Sequence, residues 1–208
     1  MTARPHTNLA YRLTKRTADV ALSLAGLLVL SPVLLLIGLA VALEREGPVI
    51  FRQRRAGFRN KPFMMYKFRT MVKNAAELRG EMEQYNELDG PAFKMKNDPR
   101  VTKLGRFLRR TSLDELPQLV NVLKGDMSLV GPRPLPTYES EKCTPEQLQR
   151  LLVKPGLTCF WQACGRNDVS FKEWMDMDLR YVNEQSIPTD VKILLQTVKA
   201  VLSGRGAY

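Results

Sequence analysis

Two adjacent carboxylates, Asp114 and Glu115, lie in the segment "SLDELP" of a chain with a formal net charge of +11. Carboxylates can act as nucleophiles, as general acids or bases, or as ligands of a metal ion. The chain has a single histidine, His6, in a polar N-terminal tail. This excludes buried Ser-His-Asp or Cys-His machinery and histidine-rich zinc sites. Acid, base or nucleophilic chemistry therefore falls to carboxylates, lysines, tyrosines or thiols.

The local role of the two acids depends on where the next helix begins. Ser112 and Glu115 match the S-x-x-E capping box, but Pro117 would then fall deep enough in the helix for its missing N–H to matter. With Asp114 as the N-cap, Pro117 falls in the first turn and is tolerated. This placement predicts an ionised Asp114 at a helix start. Three arginines surround it in the sequence: Arg106, Arg109 and Arg110. Such a carboxylate, held where phosphates also bind, suits nucleophilic attack on phosphorus or magnesium ligation.

Several other cations follow patterns that are typical of phosphate recognition. Arg133 lies between two prolines, and a turn with fixed φ holds a guanidinium at little entropic cost, although a turn with a solvated arginine fits the same pattern. Lys67 and Arg69 are spaced to share one face of a strand, where a solvated face is the simpler interpretation of the pair alone. Arg166 lies in a turn-like loop. The sequence contains no Walker A or GxGxxG phosphate loop.

The sequence from Val20 to Leu43 is apolar and uncharged. As a straight helix it would be about 36 Å long, enough to cross a hydrocarbon core of about 30 Å. Ser31 and Pro32 lie at its middle, where proline removes a backbone hydrogen bond and favours a sharp kink. Lysines and arginines flank both ends, so the positive-inside rule puts both ends on the cytoplasmic side. These features predict a re-entrant membrane hairpin, with an ordinary spanning helix that tolerates its proline as the alternative.

The remaining sequence predicts one cytosolic domain. We expect residues 1–46 to form the N-terminal tail and the re-entrant hairpin, and residues 47–208 to form the domain. Within it, "PVIFRQRRAG" and "PFMMYKFRTM" predict a small β-hairpin, and residues 71–88 predict a polar helix. The expected fold class is mainly α with a small β-hairpin (α+β), in which a membrane helix-break-helix precedes a domain with amphipathic helices at the membrane interface.

Two capping boxes predict later helices, one formed by Thr144 with Gln147 and one by Ser170 with Glu173. Residues 191–202 follow with an apolar stripe at helical spacing. Such a stripe suits a core or, in a protein held at a bilayer, a helix in the headgroup region. The three cysteines form no CxxC pair and indicate reduced thiols in a cytosol-facing protein rather than a disulfide framework.

Long segments of the chain carry a resemblance to a known family. They are "KFRTM", "NDPRVTKLGRFLRRTSLDELPQLVNVLKGDMSLVGPRPL", "PGLTCFWQACGRNDVS" and "VLSGRGAY". They resemble the bacterial sugar transferases that are monotopic polyprenyl-phosphate phosphoglycosyl transferases, over nearly the whole chain and including the apolar run with its central Ser-Pro. The resemblance favours the re-entrant hairpin. It implies transfer of a sugar-1-phosphate from a UDP-sugar to undecaprenyl phosphate. Some of the motifs resemble those of hexose-transferring members.

The resemblance also implies release of UMP, a place on the cytoplasmic face of the bacterial inner membrane, and a start to exopolysaccharide, capsule, O-antigen or glycoconjugate assembly. Asp114 matches the nucleophile, which attacks the β-phosphate to give a covalent phosphosugar-enzyme, and is the expected Mg²⁺ ligand. Glu115 assists the metal or proton transfers. Three cations match family positions near the phosphates: Lys67, Arg109 and Arg133. Arg166 is a candidate nucleotide contact.

Some features leave alternatives open. The chain has Cys159 where many relatives have glycine, and Ala163 and Cys164 replace another usual pair, which weakens any inference about the sugar. The net charge also permits a nucleic-acid-binding protein, but no binding motif is present, so no nucleic-acid partner is expected. A non-catalytic scaffold is the third class, and the intact acidic pair with Arg133 argues against it. The sequence does not fix the oligomeric state, and a homodimer remains open.

Overall fold

The computed structural model describes Pro5 and residues 8–164 and 169–203. The fold is mainly helical with two small sheets, which confirms the predicted α+β class. The helices are α1 (Leu9–Val29), α2 (Ser31–Leu43), α3 (Arg79–Met82), α4 (Lys103–Thr111), α5 (Gln118–Lys124), α6 (Thr137–Ser140), α7 (Phe160–Cys164), α8 (Phe171–Glu184) and α9 (Ile187–Ser203). The strands are β1 (Ile50–Ala56), β2 (Pro62–Phe68), β3 (Ser128–Val130) and β4 (Gly156–Thr158). Short 3-10 turns occupy Phe58–Asn60, Glu83–Tyr85, Leu113–Glu115 and Gln147–Leu152.

The apolar N-terminal segment breaks where the sequence predicts a kink. Helices α1 and α2 meet at Leu30 and are bent by 64° relative to each other. Pro32 lies in the first turn of α2, where its missing N–H leaves no intrahelical bond unmade. In the described part of the chain no one helix has the length and apolar composition to cross a membrane, whereas α1 and α2 together meet both requirements.

The first half of α1 packs into the globular part of the molecule. The Asp19 carboxylate is buried and accepts hydrogen bonds from Ser128 Oγ at 3.1 Å and from the Leu129 amide at 2.9 Å, both in β3. Arg16 donates to two carbonyl oxygens in the last turn of α5, at 2.6 and 2.8 Å. A cation at the carboxyl end of a helix complements its unpaired carbonyl groups. The division at residue 46 stays a prediction, and these contacts join α1 to the part of the chain that follows it.

A polar cluster joins α1 to α8 and α9 at the end of β3. The Asp190 carboxylate accepts hydrogen bonds from Lys15 Nζ at 2.7 Å, from Tyr181 OH at 2.7 Å and from Tyr11 OH at 3.2 Å. Lys15 and Tyr181 also donate to the Val130 carbonyl oxygen, at 3.1 and 3.0 Å. Because one buried carboxylate of α9 accepts from donors on α1 and α8, the relative positions of the three helices are fixed at this point.

The predicted β-hairpin is confirmed. Strands β1 and β2 pair antiparallel from Ile50 opposite Phe68 to Ala56 opposite Pro62. Helix α5 is held against β2 by Asn121, whose side chain is fully buried and accepts from the Tyr66 amide at 3.1 Å and donates to the Met64 carbonyl at 2.7 Å. This amide side chain satisfies backbone groups that the hairpin leaves unpaired on that edge.

The predicted polar helix over residues 71–88 is wrong. Only Arg79–Met82 and Glu83–Tyr85 are helical, and turns occupy most of the rest. The segment has no apolar stripe to bury, so good helix formers alone do not hold it in a helix. The Asn86 side chain also competes by accepting from the amides of Leu88 and Lys94, at 3.3 and 2.9 Å.

Both predicted capping boxes form, with different continuations. Ser170 and Glu173 exchange side-chain and backbone hydrogen bonds and open α8, as predicted. Thr144 and Gln147 also exchange bonds, at 2.8 and 3.3 Å, but the segment that follows is the 3-10 turn Gln147–Leu152. The three cysteines are free thiols, as expected.

The apolar stripe of α9 is not a core face. Its buried apolar residue is Ile193, which packs in the main core with β3. Four large apolar side chains of the stripe are between 48% and 83% exposed: Val191, Leu195, Val198 and Leu202. Helix α9 therefore presents an apolar surface outward, which suits the interface interpretation of the stripe better than the core interpretation.

Candidate active site

The two acids lie in a tight turn between helices, and neither predicted helix start is correct. Helix α4 ends at Thr111, and Ser112 closes it in the left-handed region with φ 58°. Asp114 and Glu115 follow in one 3-10 turn, and α5 begins only at Gln118, with Pro117 as its N-cap. Proline is tolerated at this position because the first N–H groups of a helix have no intrahelical acceptor.

Glu115 is held by two cations. Its Oε1 lies 3.0 Å from Lys67 Nζ and 2.5 Å from Arg133 Nη2, and its Oε2 accepts from Arg133 Nη1 at 3.1 Å. Burial alone would raise the pKa of Glu115, but the charges and hydrogen bonds of Arg133 and Lys67 outweigh it and hold that pKa well below its usual range. Glu115 is therefore ionised at neutral pH and already paired.

Asp114 is in the opposite situation. It is 6% exposed, and no residue in the described part of the chain forms a hydrogen bond with its carboxylate. Burial raises the pKa of Asp114 to about 6, and the charge of Glu115 adds to the rise, while Lys67 and Arg109 oppose it. Its lone pairs are thus available, and at neutral pH it is an ionised but poorly solvated carboxylate. Such a group can attack phosphorus or bind a cation.

The other predicted cations differ in their burial and contacts. Arg109 Nε donates to Thr70 Oγ1 at 3.0 Å, and burial lowers the pKa of Arg109 while the nearby Asp114 charge opposes that change. Arg106 and Arg110 are exposed and do not surround the acids as expected. Arg166 lies outside the described residues.

Arg69 is not directed at the acids. It is 5% exposed, and its guanidinium donates to the carbonyl oxygens of Val41 at 2.6 Å, of Pro48 at 2.9 Å and of Gly47. These contacts fasten the end of α2 to the hairpin. Arg69 lies one residue beyond β2, so the alternation that predicts a shared face with Lys67 no longer applies. The structure gives Arg69 an architectural position, away from the Glu115 ion pairs.

Residues 10–204 match the family described as bacterial sugar transferase. The chain belongs to this family. It is 43% identical over 215 residues to the undecaprenyl-phosphate galactose phosphotransferase of Salmonella typhimurium, which covers 100% of this chain and 45% of that protein. It is 43% identical over 205 residues to the UDP-glucose:undecaprenyl-phosphate glucose-1-phosphate transferase of Escherichia coli K12, over 95% of this chain and 42% of that one.

A third relative is similar to this chain in length. The exopolysaccharide production protein ExoY of Rhizobium meliloti is 39% identical over 203 residues, which are 94% of this chain and 88% of ExoY. The chain spans less than half the length of the other two relatives. These relatives include both a galactose and a glucose transferase, so similarity alone does not select the sugar.

Two arginines that were not predicted as site residues contact the backbone at Arg133 and Pro134. Arg55 Nη1 donates to the Pro134 carbonyl at 2.8 Å, and burial together with the charge of Arg133 lowers the pKa of Arg55 to about 10. Arg150 donates to the Arg133 carbonyl. Sequence reasoning had counted Arg55 among charges flanking the membrane segment. The sequence places Arg55 in a predicted strand. Only the fold brings it to the backbone beside Arg133, the ion-pair partner of Glu115.

The residues present fit a magnesium ion only if water and substrate phosphates supply most of its ligands. In the ranges that the structure describes, no group of three or more histidine, cysteine or acidic side chains could hold a metal. Magnesium usually takes one or two carboxylates and completes its shell with water and substrate phosphates. Asp114, whose carboxylate accepts no hydrogen bond from a described residue, meets that requirement, whereas Glu115 is occupied by Lys67 and Arg133.

Proposed function

We propose that this chain transfers a sugar-1-phosphate, most simply of a hexose, from a UDP-sugar to undecaprenyl phosphate and releases UMP. Family membership and the names of the relatives support the reaction class. The observation that carries the proposal is the buried Asp114 carboxylate, which lies beside a cluster of fixed cations. It accepts no hydrogen bond from the described residues. A reaction on a diphosphate needs both a nucleophile and positive charge at this place.

In the proposed first step, an Asp114 oxygen attacks the β-phosphorus of the donor. The bond between the β-phosphorus and the bridging oxygen breaks, UMP leaves with the electron pair, and the sugar phosphate becomes joined to the carboxylate as an acyl phosphate. In the second step, an oxygen of the polyprenyl phosphate attacks the same phosphorus, and Asp114 leaves as a carboxylate. Covalent catalysis thus replaces one difficult encounter of two anions by two displacements.

The electrostatics of the cluster suit anionic substrates. Lys67, Arg109 and Arg133 supply three positive charges against two carboxylates, so the cluster keeps an excess positive charge for the phosphates. Because Glu115 is ion-paired on both oxygens, we assign it to holding Lys67 and Arg133 in place rather than to moving protons. Preorganised cations lower the cost of reorganisation when charge develops on the leaving phosphate.

Magnesium completes the proposal as a cofactor. Asp114 would hold the ion together with the donor diphosphate, and the ion would neutralise charge on the phosphate oxygens. The partners are then the UDP-sugar, the polyprenyl phosphate and the lipid bilayer, and a homodimer stays an open expectation.

We further propose that α1 and α2 form a re-entrant hairpin in the cytoplasmic leaflet of the bacterial inner membrane. The support is that both ends of the pair contact the same globular region. Asp19 of α1 binds β3, while Ile37 and Val41 of α2 pack with Phe68 and Leu108. A spanning helix would carry its two ends to opposite faces of the membrane. Exposed leucines near the bend and the outward stripe of α9 supply apolar surface for the lipid.

The test is an assay of UMP release with a panel of UDP-sugars, undecaprenyl phosphate and Mg²⁺. Asp114→Asn should abolish release, and the matched surface variant Asp176→Asn should release UMP at the wild-type rate. Intact-mass analysis of enzyme with the productive UDP-sugar alone should detect a phosphosugar adduct that maps to Asp114. Normal turnover by Asp114→Asn, or an adduct on another residue, would refute the assignment of the nucleophile.

A further inference from the structure

The turn that carries Arg133 is gripped by two arginines. Arg150 Nη2 donates to the carbonyl oxygen of Arg133, and Arg55 Nη1 donates to the carbonyl oxygen of Pro134 at 2.8 Å. The two acceptors are consecutive peptide groups of the segment that follows β3. The guanidinium of Arg133 in turn makes the two contacts with Glu115. Side chains from two distant parts of the chain therefore converge on the backbone behind one site residue.

This backbone needs side-chain donors because it has few of its own. Pro132 and Pro134 have no N–H to donate, although the Pro132 carbonyl oxygen accepts from the Gly156 amide at 3.0 Å. The ends of the segment are tied by backbone bonds, from the Gly131 amide to Thr158 and from the Ala56 amide to Leu135, at 2.9 Å each. Between those ends, the carbonyl groups beside Arg133 are held by Arg55 and Arg150.

Arg150 reaches the turn from the protein interior. It is 2% exposed, and its Nε and Nη2 also donate to Asp178, at 2.9 and 2.6 Å, in a pair that is itself buried. A guanidinium in that position has no route to a substrate. Any influence of Arg150 on the site must therefore pass through the backbone of Arg133.

Arg55 lacks such a partner. In the described part of the chain no carboxylate lies within ion-pair distance of it, and its Nε is buried without a hydrogen bond. A charge that is partly removed from water without an ion-pair partner lowers the stability of the fold. Stability therefore does not explain an arginine at this position. Its contact with the turn beside Arg133 gives it a role at the site.

We propose that Arg55 and Arg150 are positioning residues, which fix the turn so that the Arg133 guanidinium is held ready for Glu115 and the donor phosphates. The part that concerns phosphates rests on the proposed function. Displacement of a binding group by about 1 Å can cost about a hundredfold in rate, so a loose turn has a measurable kinetic effect.

A kinetic double-mutant cycle tests the proposal. Arg55→Met keeps the apolar stem and removes the donor; it should lower kcat/KM for the UDP-sugar about tenfold or more while leaving Tm unchanged or higher. In an Arg133→Ala background the same change should cost less than about twofold, because the residue through which it acts is gone. Equal losses in both backgrounds would overturn the proposal, since Arg55 would then act independently of Arg133. Arg150→Met should behave likewise, and if it does not fold, Arg55→Met decides alone.

A second measurement does not depend on activity. The Gly131 and Ala56 amides close the two ends of the turn, and their hydrogen exchange should accelerate about tenfold in Arg55→Met relative to amides of α8. Unchanged exchange would overturn the positioning role. If the wild-type protein released no UMP while this exchange result held, the proposed function would fail and the bracing of the turn would stand.

Discussion

Glu115 and Arg133 form a two-point ion pair, with Nη2 2.5 Å from Oε1 and Nη1 3.1 Å from Oε2. Lys67 shares Oε1 at 3.0 Å. One carboxylate therefore sets the positions of two cations from different parts of the fold, a strand and a proline-bounded turn. The neighbouring Asp114 is left without a hydrogen-bond donor from the described residues. Adjacent acids thus have separate tasks, one organising the cations and one free to react.

Glu115→Gln should weaken activity by loosening the cations. The amide is nearly the same size but keeps no negative charge, so Lys67 and Arg133 lose their shared partner and repel each other. Loss of charge-assisted hydrogen bonds of this kind costs about 1.5–3 kcal/mol, and we expect kcat/KM for UMP release to fall about tenfold to a hundredfold. Glu141→Gln, at an exposed position, is the matched control and should leave kcat/KM unchanged. An unchanged kcat/KM in Glu115→Gln would show that Glu115 is not part of the site.

Asp114→Asn should stabilise the protein at alkaline pH. Burial raises the pKa of Asp114 from 3.8 to about 6, so its ionisation opposes folding as pH rises above about 4, and the whole cost is present above pH 6. A rise of this size corresponds to about 3 kcal/mol at most. We expect a gain of about 1–3 kcal/mol in the free energy of unfolding at pH 8 in magnesium-free buffer, shrinking to nothing near pH 4.

Chemical denaturation across that pH range measures the gain. Asp176→Asn, at an exposed position of α8, should show no gain at any pH. Loss of stability in Asp114→Asn at pH 8 would mean that the carboxylate has a favourable partner and is not the poorly solvated group inferred from its burial.

Asn121→Leu should destabilise the fold. Leucine fills a similar volume but leaves the Tyr66 amide and the Met64 carbonyl, whose hydrogen bonds to Asn121 are partly buried, without these partners. Each unsatisfied group costs about 1–3 kcal/mol, so the free energy of unfolding should fall by about 2–5 kcal/mol. Asn74→Leu, at an exposed position, is the control. Equal stabilities of the two variants would mean that the hairpin does not depend on Asn121.

Sequence patterns predicted the elements whose cause is local. The kink near Pro32, the capping box of Ser170 and the alternating hairpin strands each depend on residues close together in the chain, and each is present. The helix over residues 71–88 failed because propensity without an apolar face does not hold a helix. Alternation likewise stops being informative at Arg69, just past the end of β2.

Arg55 and Arg150 could not be recognised from the sequence, for a different reason. A charged residue is almost never fully buried unless it is paired, so Arg55 and Arg150 read as surface residues. Their acceptors are backbone carbonyls and, for Arg150, an aspartate far away in sequence. Only the fold brings these groups together. The same applies to Lys15, a flanking charge in the sequence that binds Asp190 in the structure.

Both termini should lie on the cytoplasmic side of the membrane. Lys15 near the start of α1 is ion-paired with Asp190 of α9, and Arg69 holds the last turn of α2, so both ends of the bent pair are tied to one body. A spanning arrangement would break one of these sets of contacts and strand a charged group without its partner. Tags at the two ends of the chain should both resist protease added to intact spheroplasts and both be cleaved after permeabilisation. A tag on only one end that is cleaved in intact spheroplasts would place the termini on opposite sides and rule out the re-entrant hairpin.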